Sequence, residues 1–317
     1  MIRYDVFNGD ADGICALQQL HLAEPRESRL VTGVKRDIAL LDRVEAGAGD
    51  LVTALDISLD KNRSALMSLL EGGASVVYFD HHYPGEIPQH PRLECHIDTA
   101  ADRGTSLLVD DHLQGRFRAW AVVGTFGDNF DTSARQAAKP LGLDEADLDR
   151  LRELGILLNY NGYGTTVADL HFAPDALFRR LTPYADPLAF IAEDDTFTAL
   201  KAGWEDDMSQ ARAITAELET EQHALIILPD APWARRVGGV FANELAQRAP
   251  KRAHAMLTML PGDHYLVSVR APMAKPDGAD ALCRQFETGG GRKAAAGINR
   301  LPRADYDRFV AAFLAAF

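Results

Sequence analysis

Short apolar runs alternate with helical spacings through the first half of the chain. "IRYDVFN" reads as a strand, and the following "GICALQQLHLAE" places its apolar residues at helical intervals. "DLVTALD" and "ASVVYFD" are two more strand-like runs. The first of them leads into the helical "KNRSALMSLLEGG", whose closing glycines suit a C-cap. Residues 143 to 158, "LDEADLDRLRELGILL", again space as a helix, with acidic residues in the first turn where the helix dipole favours them. Strands alternating with helices predict an α/β domain on a doubly wound, mainly parallel sheet. Prolines interrupt the pattern at "LTPYADPLAF", and "WEDDMSQARAITAELETEQ" then reads as a solvated helix. "HALIILP", "HAMLTML" and "HYLVSVRA" predict three further strands, ahead of a glycine cluster and a terminal helix, "RADYDRFVAAFLAAF". The predicted division is residues 1–185 for the parallel-sheet domain, 186–220 for a connector and 221–317 for a smaller mixed α/β domain.

Composition narrows the class. A chain of 317 residues is long for one core, and 47% hydrophobic with 25% charged residues describes a folded globular protein. No apolar run approaches the length of a membrane span, and the N-terminus lacks the regions of a signal peptide. Cys15, Cys95 and Cys283 have neither metal-like nor disulfide-like spacing, so reduced thiols in a cytoplasm are expected. The net charge of -13 argues against wholesale wrapping of nucleic acid. It is unevenly spread: from Thr220 onward there are 13 Lys+Arg against 9 Asp+Glu, and before it 20 against 37. A metal held by the acidic part and a phosphate by the basic part would suit this split; so would a merely solvated acidic surface.

The candidate chemistry lies at the ends of the apolar runs. Asp10 and Asp12 follow the first strand in "NGDADG", Asp56 ends "LVTALD", and Asp80 ends "VVYFD" ahead of His81 and His82. Asp128 closes another apolar run, "AWAVVGTFGD". In an open parallel sheet, residues just past the carboxyl ends of the strands gather along one edge, where ligands bind. Taken singly, each aspartate is equally a turn residue or a helix N-cap. Taken together, they would repel one another strongly unless cations neutralise them. Carboxylates with imidazoles and no thiolate favour Mn²⁺ or Mg²⁺, with Fe²⁺, Co²⁺ or Zn²⁺ as further choices. From the residues alone, a metal-dependent hydrolase is the expectation.

"NGDADG", "LDIS", "DHH" and "GTFGDN", in this order, resemble the four motifs of the DHH phosphoesterase superfamily. "VSVRA" followed by "GGGRKAAAGI" resembles the DHH-associated C-terminal domain, with its GGGH-x-x-AAG-like stretch. The resemblance implies two metal ions, Mn²⁺ first among the choices. Asp10 would ligate one, Asp12 the other, and Asp56 would bridge them. His81 and Asp128 would complete the second metal's shell, His82 would lie near the substrate phosphate, and Asp80 would orient a histidine. The implied mechanism is in-line attack on phosphorus by a metal-activated hydroxide. Arg270, Gly289, Gly290, Gly291, Arg292 and Lys293 would hold a substrate phosphate, because glycines let backbone N–H groups approach and arginine binds phosphate bidentately. Two positions depart from the pattern: Asn8 stands where many relatives have a histidine ligand, which would make the first metal site the weaker, and Arg292 stands where the hallmark has histidine.

The leading expectation is a phosphodiesterase of nuclease type, cleaving dinucleotides or very short oligonucleotides. An exopolyphosphatase, or another phosphoanhydride hydrolase, would use the same groups. A catalytically weakened nucleotide- or RNA-binding protein, permitted by Asn8, is a third reading, and a pure nucleotide-binding module a fourth. Partners would be a small phosphorylated substrate or short single-stranded nucleic acid and no membrane, with a homodimer left open.

Overall fold

A computed structural model describes residues 1–317, which fold as two compact units, Met1–Ala202 and Gly203–Phe317. The division lies inside the 186–220 segment. In the first unit, strands β1 (Arg3–Phe7), β2 (Arg29–Val31), β3 (Leu51–Leu55), β4 (Ser75–Asp80) and β5 (Leu93–Ile97) form an all-parallel sheet. Their order is β2-β1-β3-β4-β5. The connections change direction between β1 and β3, and a parallel sheet opens a ligand crevice outside the carboxyl ends of strands at such a point.

Helix α1 (Ala11–Ala23) packs on β1 and β3 from one side of the sheet, while α2 (Leu59–Glu71) covers the other. The strand period of two decides which residues face α2: Tyr4, Val6, Val52, Ala54, Val76 and Tyr78 share a core with its leucines at 59, 66, 69 and 70. Helix α3 (Thr105–His112) packs on β4 and α1, and α4 (Arg118–Gly127) packs on α1 and α3. Around α4 lie α5 (Asp131–Ala138) and α6 (Glu145–Asn161). Asp144 caps α6 by accepting from the Asp147 N–H, in line with the acidic first turn read from sequence.

The run before Asp128 differs from its expected role. "AWAVVGTFG" belongs to helix α4, not to a strand, and every residue from Trp120 to Gly127 is buried. A helix buried all round loses its amphipathic period and cannot be told from a buried strand by pattern. Asp128 therefore reaches the sheet edge as the residue closing a helix.

Beyond α7 (Pro174–Leu181) and α8 (Pro187–Glu193), helix α9 (Asp195–Arg212) contains the division between the units. It stops short of the helix read from sequence, because Leu218–Glu219 leaves to pair as β6 along the edge of β7 (His223–Leu228). The second unit continues with α10 (Pro232–Arg248), β8 (Ala253–Leu260), β9 (His264–Arg270), α11 (Ala279–Cys283), β10 (Gly289–Arg292), β11 (Ala295–Pro302) and α12 (Tyr306–Ala316). Its sheet runs β10-β11-β9-β8-β7-β6 and is mixed, with β7 and β8 parallel across the α10 crossover. Phe309 and Phe313 of α12 pack with Leu282, Val267 and Ile298 in its core. The glycine cluster forms β10, hairpinned onto β11. No helix is long and apolar enough to cross a membrane.

His254 in β8 is 3% exposed, and burial, aided by the charge of Arg252, lowers its pKa from 6.5 to about 4. The folded protein keeps it neutral, so its stabilising contribution is whole above pH 6.5 and is lost as pH falls towards 4. This group alone is expected to lower stability by about 2 kcal/mol between pH 7 and pH 5. Urea unfolding at the two pH values measures the loss, and His254→Gln should shrink it; an unchanged difference in the variant would exclude the assignment.

Candidate metal centre

The centre is assembled at the carboxyl edge of the first sheet. Asp10 leaves β1 and caps α1, its Oδ1 accepting from the N–H groups of Asp12 at 3.1 Å and Gly13 at 3.2 Å. Capping occupies one carboxylate oxygen and leaves Oδ2 directed elsewhere, so turn residue and site residue are compatible roles. Asp12, in the first turn of α1, points its buried carboxylate at the N-terminus of α3. There it accepts from the backbone N–H groups of Thr105 at 2.6 Å and Ser106 at 2.8 Å, and from the Ser106 hydroxyl. These are N–H groups that a helix cannot satisfy itself, and they carry the positive end of its dipole. Gly104 permits the approach: a Cβ there would lie 2.9 Å from Asp12 Oδ2.

Asp56 follows β3 directly and adopts φ 60°, in the left-handed region. Aspartate tolerates this conformation, but at a strain of about 1 kcal/mol or more, of a kind that concentrates at functional sites. The Thr105 hydroxyl donates to its Oδ1 at 3.0 Å. At the end of β4, Asp80 is wholly buried and its Oδ1 lies 2.7 Å from His82 Nδ1, fixing that ring. His81 Nε2 lies 3.4 Å from Asp56 Oδ1 and 3.5 Å from Asp128 Oδ2, buried and without a hydrogen-bond partner.

Two groupings bring ligand atoms within 4.8 Å of one another: Asp12, His81 and Asp128, and Asp56, His81 and His82. An unpartnered imidazole nitrogen facing carboxylates fits a bound cation, and an oxygen-rich donor set without thiolate fits a hard divalent ion. Electrostatics agrees. Burial first, then the charges of Asp10 and Asp12, hold the Asp56 carboxyl well above the usual range. Asp12 is likewise raised, by burial and by Asp128. Burial opposes a charge on His81, but Asp56, Asp12 and Asp128 overcome it and raise its pKa to about 10. In His82 the bond to Asp80 outweighs burial and leaves the pKa raised.

The structure thus brings together Asp10, Asp12, Asp56, His81 and Asp128, with Asp80 set behind His82. Asn8 is buried beside them; its Nδ2 donates to the Lys35 carbonyl at 3.4 Å and its Oδ1 has no partner. Four further participants have no counterpart in the sequence reading: Lys35, Thr105, Ser106 and Asn159. Lys35 Nζ donates to Asp10 Oδ2 at 2.5 Å, Asp128 Oδ1 at 2.9 Å and Asn159 Oδ1 at 2.9 Å. Its charge overrides burial at Asp10 and keeps that carboxyl below the usual range. Only "GTS" before an apolar run, a helix-start pattern, could have pointed to Thr105 and Ser106.

The remaining candidates lie in the second unit. Arg270 on β9 and Arg292 on β10 both pair with Ala295 of β11, so they stand in one row across three strands. Asn243 accepts from Arg270 Nε at 2.7 Å, while Arg292 and Lys293 are exposed. A Cβ at Gly289 would strike the Cys283 carbonyl, and Gly291 has φ 140°, so packing and conformation require both glycines. Gly290 differs: a Cβ there would meet nothing within 4 Å.

Solved structures share this architecture. Manganese-bound exonuclease RecJ aligns over 99% of this chain and 89% of its own, with TM-score 0.64 and 18% identity. Manganese-bound RecJ from Thermus thermophilus aligns over 99% of this chain, with TM-score 0.66 and 20% identity; the chain spans 51% of that protein's length. The pGpG-specific phosphodiesterase PggH from Vibrio cholerae aligns over 100% of both chains, with TM-score 0.56 and 15% identity. The chain has a RecJ-like α/β fold. No family model matches the sequence, and no curated protein matches it. Within this fold, Thr105 and Ser106 set the orientation of Asp12.

Groups that orient a metal ligand typically matter about 10–100-fold in metal affinity. Ser106→Ala is expected to weaken Mn²⁺ binding by about tenfold, measured by isothermal titration calorimetry. Unchanged affinity would remove Asp12 orientation as the role of Ser106.

Proposed function

We propose that the chain is a divalent-metal-dependent phosphohydrolase, acting as a phosphodiesterase on dinucleotides or very short oligonucleotides. The observation that carries this reading is the convergence of Asp12, Asp56, His81 and Asp128 at one sheet edge, in ligand-competent groupings. Similarity in fold to RecJ, an exonuclease, and to PggH, a phosphodiesterase matched over its full length, supports phosphodiester chemistry on a small substrate. Asp12, His81 and Asp128 would hold the cation, with Asp56 beside it. When bound, a divalent ion lowers the pKa of water and offsets charge on phosphoryl oxygens.

The chain's own groups then have separable tasks. Asp80 consumes the Nδ1 proton of His82, leaving the His82 Nε2 edge, on a partly exposed ring, to donate to a phosphoryl oxygen. The bond to Asp80 raises the pKa of the ring and so favours its protonated form. Thr105 orients the Asp56 carboxylate by donating its hydroxyl to Oδ1. In the second unit the row of Arg270 and Arg292, with Lys293 next in the chain, offers cationic donors for an anionic group. Gly290 lets that group reach the backbone.

Purified protein with Mn²⁺ should release mononucleotide or phosphate from a member of a panel of dinucleotides, short RNA, single-stranded DNA, polyphosphate and pyrophosphate. Dinucleotides are expected to turn over fastest. Asp56→Asn should cost at least about a hundredfold in kcat, because it removes an anionic group from beside the cation that would activate water. No turnover across the panel would reject the reading, and turnover confined to polyphosphate or pyrophosphate would move it to phosphoanhydrides. Gly290→Ala, which the fold accommodates, should raise KM several-fold without lowering Tm; an unchanged KM would separate Gly290 from ligand binding.

A further inference from the structure

The position of Lys35 does not fit a centre with two metal ions. The residue lies beyond edge strand β2, yet its backbone is pinned on both sides. Its N–H donates to the Gly162 carbonyl at 2.8 Å, and its carbonyl accepts from Asn8 Nδ2. The side chain then runs inward to the carboxylates. An ammonium has three N–H donors, and three acceptors meet it: Asp10 Oδ2, Asp128 Oδ1 and Asn159 Oδ1. Asn159 is held for this purpose, because its Nδ2 donates to the Tyr163 hydroxyl at 3.3 Å and so turns Oδ1 towards Lys35. The Tyr163 ring faces the same ammonium, 5.8 Å from its centroid.

We propose that the Lys35 ammonium takes the place of one of two cations, so that the centre binds a single divalent ion through Asp12, His81 and Asp128. The inference rests on the metal-dependent reading above and concerns what fills each half of the site. A small divalent ion must sit at about 2.0–2.1 Å from its oxygen ligands. An ion held by Asp10 Oδ2 would therefore compete for the oxygen that Lys35 occupies at 2.5 Å, cation against cation. The other half of the site carries no such occupant: His81 Nε2 faces Asp56 and Asp128 without a partner. Asn8 fits the same scheme. Where a metal ligand would be needed for a first ion, this chain has an amide whose N–H supports the Lys35 backbone.

Metal content and electron paramagnetic resonance of the full chain test the proposal without reference to turnover. After equilibrium dialysis against Mn²⁺, the unmodified protein is expected to hold one ion per chain, with the six-line spectrum of isolated Mn²⁺. Lys35→Ala should admit a second ion and show exchange coupling, since paired ions sit about 3.5–4 Å apart. Lys35→Arg keeps a cation and should hold one. Two coupled ions in the unmodified protein would overturn the proposal while leaving the metal-dependent reading standing. No bound ion would overturn both. If Lys35→Ala fails to fold, the unmodified protein and Lys35→Arg still decide; a second ion in Lys35→Arg would count against the proposal.

Discussion

Like charges gathered in a buried place are the constraint on which the first unit turns. Asp10, Asp12 and Asp56 are each almost fully buried, and Asp128 shares their space. Carboxylates so placed either take up protons or find cations. The fold meets this with three devices of different reach. The N-termini of α1 and α3 direct backbone N–H groups at Asp10 and Asp12. Lys35 brings a full positive charge to Asp10 and Asp128. What is left over is His81 Nε2, which faces Asp56 and Asp128 without a hydrogen bond, and it is there that a bound ion has something to do.

The same constraint explains what could be read from the sequence. Asp10, Asp56 and Asp80 were legible because β1, β3 and β4 are plain apolar runs and parallel strands present their ends to one edge. Asp128 was legible as a motif member, but its route to the site was not: α4 is buried without a break from Trp120 to Gly127, so its apolar run reads equally as a buried strand. Strand β2 was too short to register as an element, with three residues and no buried position. Since β2 was missed, the loop after it was missed, and Lys35 with it.

Lys35 and Asn159 show a second kind of illegibility. Each is an ordinary polar residue in its local sequence, 25 and 31 positions from Asp10 and Asp128 respectively. Their meaning comes only from the strand order β2-β1-β3, which places the segment after β2 beside the end of β1, and from α6 passing behind. Motif spacing carries chemistry within an element; juxtaposition across a sheet edge is set by topology. A charged side chain from outside the motifs can therefore alter the cation count of a site whose motifs are all present.

Residue 8 lies where these constraints meet. By sequence alone an asparagine there reads as a ligand weakened. In the structure its N–H supports the carbonyl of the very lysine whose ammonium meets Asp10. A histidine at this position would offer one ring N–H and one lone pair; an amide offers two N–H groups and an oxygen, which suits holding a backbone more than holding a metal. Asn8 and Lys35 are thus one substitution in physical terms: a ligand for an exchangeable divalent ion replaced by a scaffold for a tethered monovalent one. The tethered charge needs no loading, but it brings one positive charge where an ion would bring two. More of the phosphate's charge would then fall to the remaining cation and to His82.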